Sequence, residues 1–310
     1  MIRRVRPPRA TSAAAWIGLV VACTAASVLA QADAAAGARP LRLATFNMRH
    51  GQTTVPCISR PEAPGQPPSR DCGLDLSAAI DVMRALDAHV IAVQEVDRSW
   101  ARSDYVDQPA ALAAGLGTMH HCYAANLDHP ADAHSAVRHQ YGTLLLSRFP
   151  ILECGITALR RTGENEQRGL TRALVEVGGL RLHVFHTHLH TTATDRVMQA
   201  ADIAAALDTA PAGPRVLMGD LNAGPDAAEM QPIVERLRDA WREAPAPAAD
   251  NPSGFTAPAR LAGDPTSRID YVLVSPDVRV SRAWVPIDAR TRLASDHFPV
   301  VAEVALPSRR

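Results

Sequence analysis

The feature that most constrains this chain is the position of its polar residues. From Thr45 to Phe298, six short segments carry Asn, Glu, Asp or His at the end of an apolar run or beside one. They are Thr45-Phe46-Asn47, Val93-Gln94-Glu95-Val96-Asp97, Phe185-His186-Thr187-His188-Leu189, Met218-Gly219-Asp220-Leu221-Asn222, Ser267-Arg268-Ile269-Asp270-Tyr271 and Ser295-Asp296-His297-Phe298. Side chains set where strands stop project together into a crevice at a sheet's edge. Each segment alone has an ordinary reading, since Glu95 could cap a helix and the run from Asp220 could be an Asx turn. Together they point to one site.

Periodicity supplies the scaffold. Strands are expected at Leu41–Asn47, His89–Val93, Gly142–Leu146, Ala173–Val177, Leu182–His188, Arg215–Met218, Tyr271–Val274, Val278–Val285 and Val300–Val304. Helices are expected at Leu76–Leu86, Pro109–Leu116, Thr194–Leu207 and Ala227–Leu237, with a Pro/Ala-rich surface loop from Glu243 to Pro258. The series has no internal repeat and no linker, which indicates one α/β domain.

Composition removes whole classes of chemistry. No Lys occurs in the 310 residues, which excludes Schiff-base lysines and the Gly-Lys-Ser/Thr phosphate loop. Residues 1–12 are basic and Ala13–Ala30 is an apolar run followed by small residues, the pattern of a secretory signal. Residues 1–36 are therefore read as a signal peptide with its cleavage site left open, and residues 37–310 as the mature, exported domain, secreted or periplasmic. Val20-Val21-Ala22-Cys23 also resembles a lipobox, through which Cys23 would anchor the protein to lipid. Residues 1–36 hold four Arg and Asp33, so removing them leaves a net charge near −3. That is not the bulk charge of a nucleic-acid-binding surface. No other apolar run is long enough to span a bilayer.

Four further cysteines form an even set in an exported chain, which favours disulfides over four free buried thiols. Cys57 and Cys72 bracket a Pro-rich loop; Cys122 and Cys154 each sit near a predicted strand and would have to pair across the sheet. No Cys-x-x-Cys spacing suggests zinc. Five histidines between His120 and His139 read as a polar loop rather than a metal site.

Oxygen-rich side chains without thiolates suit a hard cation, Mg²⁺ or Mn²⁺, with Ca²⁺ as a further candidate. Carboxylates, Asn and His around such an ion are what phosphoester hydrolysis requires: a positioned water, charge neutralisation and help for the leaving group. In content and order the segments, above all Gly219-Asp220-Leu221-Asn222 with the late Ser295-Asp296-His297, resemble the endonuclease/exonuclease/phosphatase superfamily over nearly all of residues 41–305. The resemblance implies a four-layer α/β sandwich, two central β-sheets packed face to face with helices outside. It also implies Glu95 as principal metal ligand with Asn47 and Asp296 beside it. Asp220 would orient or deprotonate the attacking water, and Asn222 would hold that water or a phosphate oxygen. His297, fixed by Asp270, and His188 would serve the phosphoryl group and leaving group. Arg49 stands where some members carry an acid, which puts a second metal in doubt. By a pattern similar to that of bacterial members, Arg102 and Arg168 are candidate phosphate contacts.

The expected function is a secreted, monomeric, metal-dependent phosphoesterase, acting on phosphodiesters or on phosphomonoesters. Two alternatives stand beside it: an extracellular nuclease, with nucleic acid as partner, and a catalytically silent exported module that uses the scaffold for binding. Trp100, Trp241 and Trp284 form no aromatic hairpin of the kind a membrane-active lipid hydrolase would present.

Overall fold

The computed structural model describes residues 40–55, 58–60, 69–71, 73–117, 119–246 and 251–308. The signal segment, the lipobox ending at Cys23, and both Cys57 and Cys72 lie outside the described residues. Residues 40–310 form one compact unit.

Strands in chain order are β1 (Leu41–Asn47), β2 (Ile58–Arg60), β3 (Ser69–Asp71), β4 (Val90–Arg98), β5 (His120–His129), β6 (His139–Ser147), β7 (Ile151–Ala158), β8 (Gly169–Val177), β9 (Leu180–His188), β10 (Arg215–Asp220), β11 (Arg238–Asp239), β12 (Asp270–Val274), β13 (Arg279–Trp284) and β14 (Val300–Ala305). One six-stranded sheet runs β13-β14-β1-β4-β6-β5 and a second runs β11-β12-β10-β9-β8-β7, while β2 and β3 pair as a separate hairpin. The helices used below are α1 (Leu76–Leu86), α2 (Gln108–Gly115), α3 (Ala193–Asp208) and α4 (Gln231–Val234).

Alternation along each strand decides which layer a side chain enters. Leu41, Leu43, Val90 and Ala92 of the first sheet join Val184, Val216, Met218 and Val272 of the second in a core between the sheets. Their neighbours point the other way: Phe46, Ile91 and Val93 pack with Ala79, Val82 and Met83 of α1 and Leu112 of α2. On the far side Phe185, Leu217 and Leu273 pack with Ile203 and Leu207 of α3 and Ile233 of α4. The architecture is the four-layer sandwich the resemblance implied. Burying three apolar layers is the dominant favourable term, at roughly 25 cal/mol per Å² of apolar surface removed from water.

Helix α1 matches its expected bounds because both ends are written locally. Asp75 accepts from the backbone N–H groups of Ser77 and Ala78, and Asp87 ends the helix in the left-handed conformation at φ 48°. Three expectations need correction. The helix expected over 227–237 is a short 3₁₀ turn followed by the four residues of α4, whose first turn contains Pro232; proline has no N–H to continue a preceding helix. Strands β5 and β7 were not expected. They are the outermost strands of their sheets, and β7 is exposed along nearly its whole length, so neither has an apolar rhythm to betray it. The histidine-rich region is accordingly not one polar loop: His120, His121 and His129 lie on β5 and His139 on β6.

The same two edges carry the disulfide. Cys122 on β5 and Cys154 on β7 are bonded, with Cα atoms 6.4 Å apart, so the bridge ties one sheet to the other at the rim.

Candidate active site

Strand parity carries the site. Along β1 the inward positions are Leu43, Thr45 and Asn47; along β9 they are Val184, His186 and His188; along β10, Val216, Met218 and Asp220. Strand β12 runs antiparallel to β10, so its first residue, Asp270, lies in register with Asp220, which is also in register with His188 on the parallel strand β9. The dry core therefore gives way, two residues further along, to Asn47, His188, Asp220 and Asp270, each buried to within a few per cent.

Glu95 reaches this crevice by a different device. Val93 pairs with Leu144 and Val96 with Gly142, so Gln94 and Glu95 together oppose the single residue between. This is a β-bulge, with Glu95 at φ 58°. Without it Glu95 would share the parity of Ile91 and Val93 and enter the layer beneath α1. Gly219 is required for a similar reason: at φ 150° a Cβ there would sit 1.9 Å from the carbonyl oxygen of Thr187.

Asn47 joins the two sheets' contributions. Its Nδ2 donates to Glu95 Oε1 at 3.0 Å and to Asp220 Oδ2 at 3.2 Å. His297 Nδ1 lies 2.9 Å from Asp270 Oδ2 and its Nε2 lies 3.8 Å from Asp220 Oδ2. His188 Nε2 approaches the same Asp220 oxygen at 3.4 Å. Ser295 holds the His297 segment against β1, its hydroxyl donating to the Asn47 carbonyl at 2.7 Å while accepting from the His297 backbone N–H at 3.2 Å.

The two histidines differ in charge. Burial works against protonation of His297, but the carboxylates of Asp270 and Asp220 outweigh it and raise its pKa to about 10. His188 has no such excess of acid: burial and the nearby Arg168 cation hold it well below the ordinary histidine value. One ring is an imidazolium at neutral pH and the other a neutral imidazole. Asp220 is pushed above the usual carboxylate range by burial and by the charge of Asp270. Glu95 moves the other way: burial resists its ionisation, yet the His50 ring, His188 and the Asn47 amide keep it well below the usual range.

Other expected residues fall into place unevenly. The side chain of Asn222 is engaged, its Nδ2 donating to the Leu189 carbonyl at 2.9 Å, while its backbone N–H caps Asp220 Oδ1 at 2.9 Å. Asp296 is half-exposed and lies 3.5 Å from Arg49 Nε. Arg102 grips the buried Asp97 with a fork of two 2.8 Å bonds and lies over the rings of Trp100 and Tyr141. Arg168 is buried beside Glu166 at 3.0 Å, and its Nε and Nη1 make no hydrogen bond among the described residues. Among these, the one compact group of acidic and histidine donors is Asp220, Asp270 and His297, whose ligand atoms lie within 4.8 Å of one another. Asp270 Oδ1 is buried there without a hydrogen-bond partner. An unsatisfied carboxylate oxygen in an oxygen-rich crevice fits a hard divalent cation.

Two features were not anticipated. His50 stands 3.6 Å from Glu95 in a run of three left-handed residues, Arg49, His50 and Gly51; only the glycine is a sequence signal for it. Beneath the site, Gln94 Nε2 lies 2.7 Å from His186 Nε2 and 3.0 Å from the Thr45 hydroxyl. This links both sheets directly under the polar ends. Burial pushes His186 down to about 3, so it is a neutral hydrogen-bonding ring rather than a charge.

Known proteins share the fold. An endonuclease/exonuclease/phosphatase from Beutenbergia cavernae is 26% identical, with a TM-score of 0.63 over 87% of this chain and 72% of its own. A mannosyl-6-phosphatase from Bacteroides thetaiotaomicron shares the fold at 19% identity, with a TM-score of 0.60 over 86% and 99% of the two chains. So does the catalytic domain of human Nocturnin, solved with a bound sulfate anion, at 17% identity and a TM-score of 0.60 over 86% and 94%. No curated protein matches the sequence. The family described as endonuclease/exonuclease/phosphatase matches residues 44–297, and the chain belongs to it.

Proposed function

We propose that the protein is an exported, metal-dependent phosphoesterase that hydrolyses phosphodiesters by attack of water. The observation that carries this reading is the convergence of His297, His188 and Asn47 on one buried carboxylate oxygen, Asp220 Oδ2. A carboxylate with a raised pKa is poised to accept a proton from water near neutral pH. The His297 imidazolium, held by Asp270, stabilises negative charge that develops on the phosphoryl oxygens, and the neutral His188 donates a hydrogen bond to a phosphate oxygen or the leaving group. Glu95, Asn47 and Asp296 are the proposed ligands of a divalent ion. When bound, that ion neutralises phosphate charge and polarises the bond to be cleaved. Arg168, buried with its Nε unpaired among the described residues, is the proposed phosphate contact. Arg102 acts by keeping Asp97 and the adjoining rim in place, since its fork is already engaged. The rim disulfide between Cys122 and Cys154 supports export, because such bonds persist in oxidising compartments.

Hydrolysis of bis(p-nitrophenyl) phosphate by the purified protein tests the reading. Turnover is expected with Mg²⁺ or Mn²⁺ and is expected to vanish with EDTA and in His297→Ala. No turnover with any divalent ion, or turnover indifferent to EDTA, would overturn it.

A further inference from the structure

Beyond the end of β4 the rim holds a cavity of about 320 Å³, lined by Trp100, Ala101, Tyr105, His129, Asp132 and His139. Its walls are rings. Trp100 stands nearly perpendicular to His129 with centroids 5.5 Å apart, and Trp100 and Tyr105 each lie 6.2 Å from His139. The Trp100 indole Nε1 is buried and makes no hydrogen bond among the described residues. Opposite in chemistry is the Asp132 carboxylate, 3.2 Å from His139 Nε2. The cavity thus offers aromatic faces and one acceptor.

Its position ties it to the catalytic crevice. Arg102 covers Trp100 at 5.2 Å and Tyr141 at 4.9 Å, and grips Asp97, two residues after Glu95. Gly142, paired with Val96 next to Glu95, is three residues from His139 along β6. That is on the order of 10 Å at about 3.4 Å per residue. A group esterified to a phosphate held beside Glu95 spans such a distance through one sugar or a linker of similar length.

We propose that this cavity is the subsite for a planar heteroaromatic ring of the substrate, of the nucleobase class. Ring faces stack on Trp and Tyr without regard to the identity of the base, and a base edge supplies a donor for Asp132. A quaternary ammonium group, the other usual occupant of aromatic cages, meets the Arg102 guanidinium already lying on Trp100 and two histidines beside it. The inference rests on the phosphoesterase reading only in placing the substrate's phosphate.

Calorimetric titration of the purified protein with adenosine 5′-monophosphate, ribose 5-phosphate and phosphocholine, all with Mg²⁺ present, tests it without requiring turnover. Adenosine 5′-monophosphate should bind at least tenfold tighter than ribose 5-phosphate, and that ratio should fall toward one in Trp100→Ala and Tyr105→Ala. Tyr105 is 37% exposed, so its removal opens no core even if Trp100→Ala misfolds. Equal affinities, a ratio that survives in Tyr105→Ala, or tighter binding of phosphocholine would overturn the inference. Loss of ring preference in a protein that still cleaves bis(p-nitrophenyl) phosphate overturns the subsite alone; absence of that cleavage overturns the phosphoesterase reading and leaves the ring preference to be judged separately.

Discussion

The layer between the sheets has two halves made by the same strands with the same parity, and they differ in almost every physical respect. In one half Leu43, Ala92, Val184, Val216, Met218 and Val272 are dry and fully packed. In the other Asn47, His188, Asp220, Asp270 and His297 bring charges into a site nearly as buried. The boundary is a single two-residue step: Val184 to His186, Met218 to Asp220, Val272 to Asp270. Burying charged groups costs desolvation that their mutual pairing only partly offsets. The dry half stabilises the fold; the polar half uses some of that stability to hold reactive groups in place.

That division predicts separable effects. The largest belongs to the polar half: Asp220→Ala and His297→Ala should each lower turnover at least 10³-fold, roughly 4 kcal/mol of transition-state stabilisation. Chemical denaturation of Asp220→Ala should meanwhile show stability close to that of the parent. One step away, Met218→Ala should cost about 2–5 kcal/mol in denaturant unfolding and leave kcat within a few-fold. A loss of activity there as large as that of Asp220→Ala would erase the boundary.

Replacing both Cys122 and Cys154 by Ser should lower stability by about 2–4 kcal/mol, read in urea, because the bridge closes a loop of sequence separation 32. Turnover should change little, since the bond lies on the two outermost strands. The smallest effect is the pH dependence of stability. His297 has a raised folded pKa, so its stabilising share is complete below the ordinary histidine value and is lost as pH rises through about 10. Melting temperature should therefore fall between pH 7 and pH 10 more steeply in the parent than in His297→Gln.

Much of this was legible in the sequence because one rule, period two, governs both halves. The apolar runs gave the inner strands, and the polar residue at each run's end gave Asn47, His188 and Asp220. Legibility failed where geometry departs from that rule. Strands β5 and β7 have one neighbour each and little apolar pattern, so they were missed although the disulfide sits on them. Glu95 was found by its place after an apolar run, but its direction depends on a bulge that no local composition announces. His50 and the Gln94–His186 link are tertiary facts: each matters through a partner at least 45 residues away. Arg102, expected as a phosphate contact, has its fork bonded to Asp97, a partner that the sequence does not announce.

The most direct test of the central claim is to measure turnover of bis(p-nitrophenyl) phosphate and the thermal unfolding midpoint side by side in Asp220→Asn. The substitution keeps the shape of the side chain and removes its charge from a buried cluster. The account predicts turnover reduced by orders of magnitude with a midpoint equal to or above that of the parent. Near-parental turnover, or lost turnover accompanied by a midpoint many degrees lower, would contradict it.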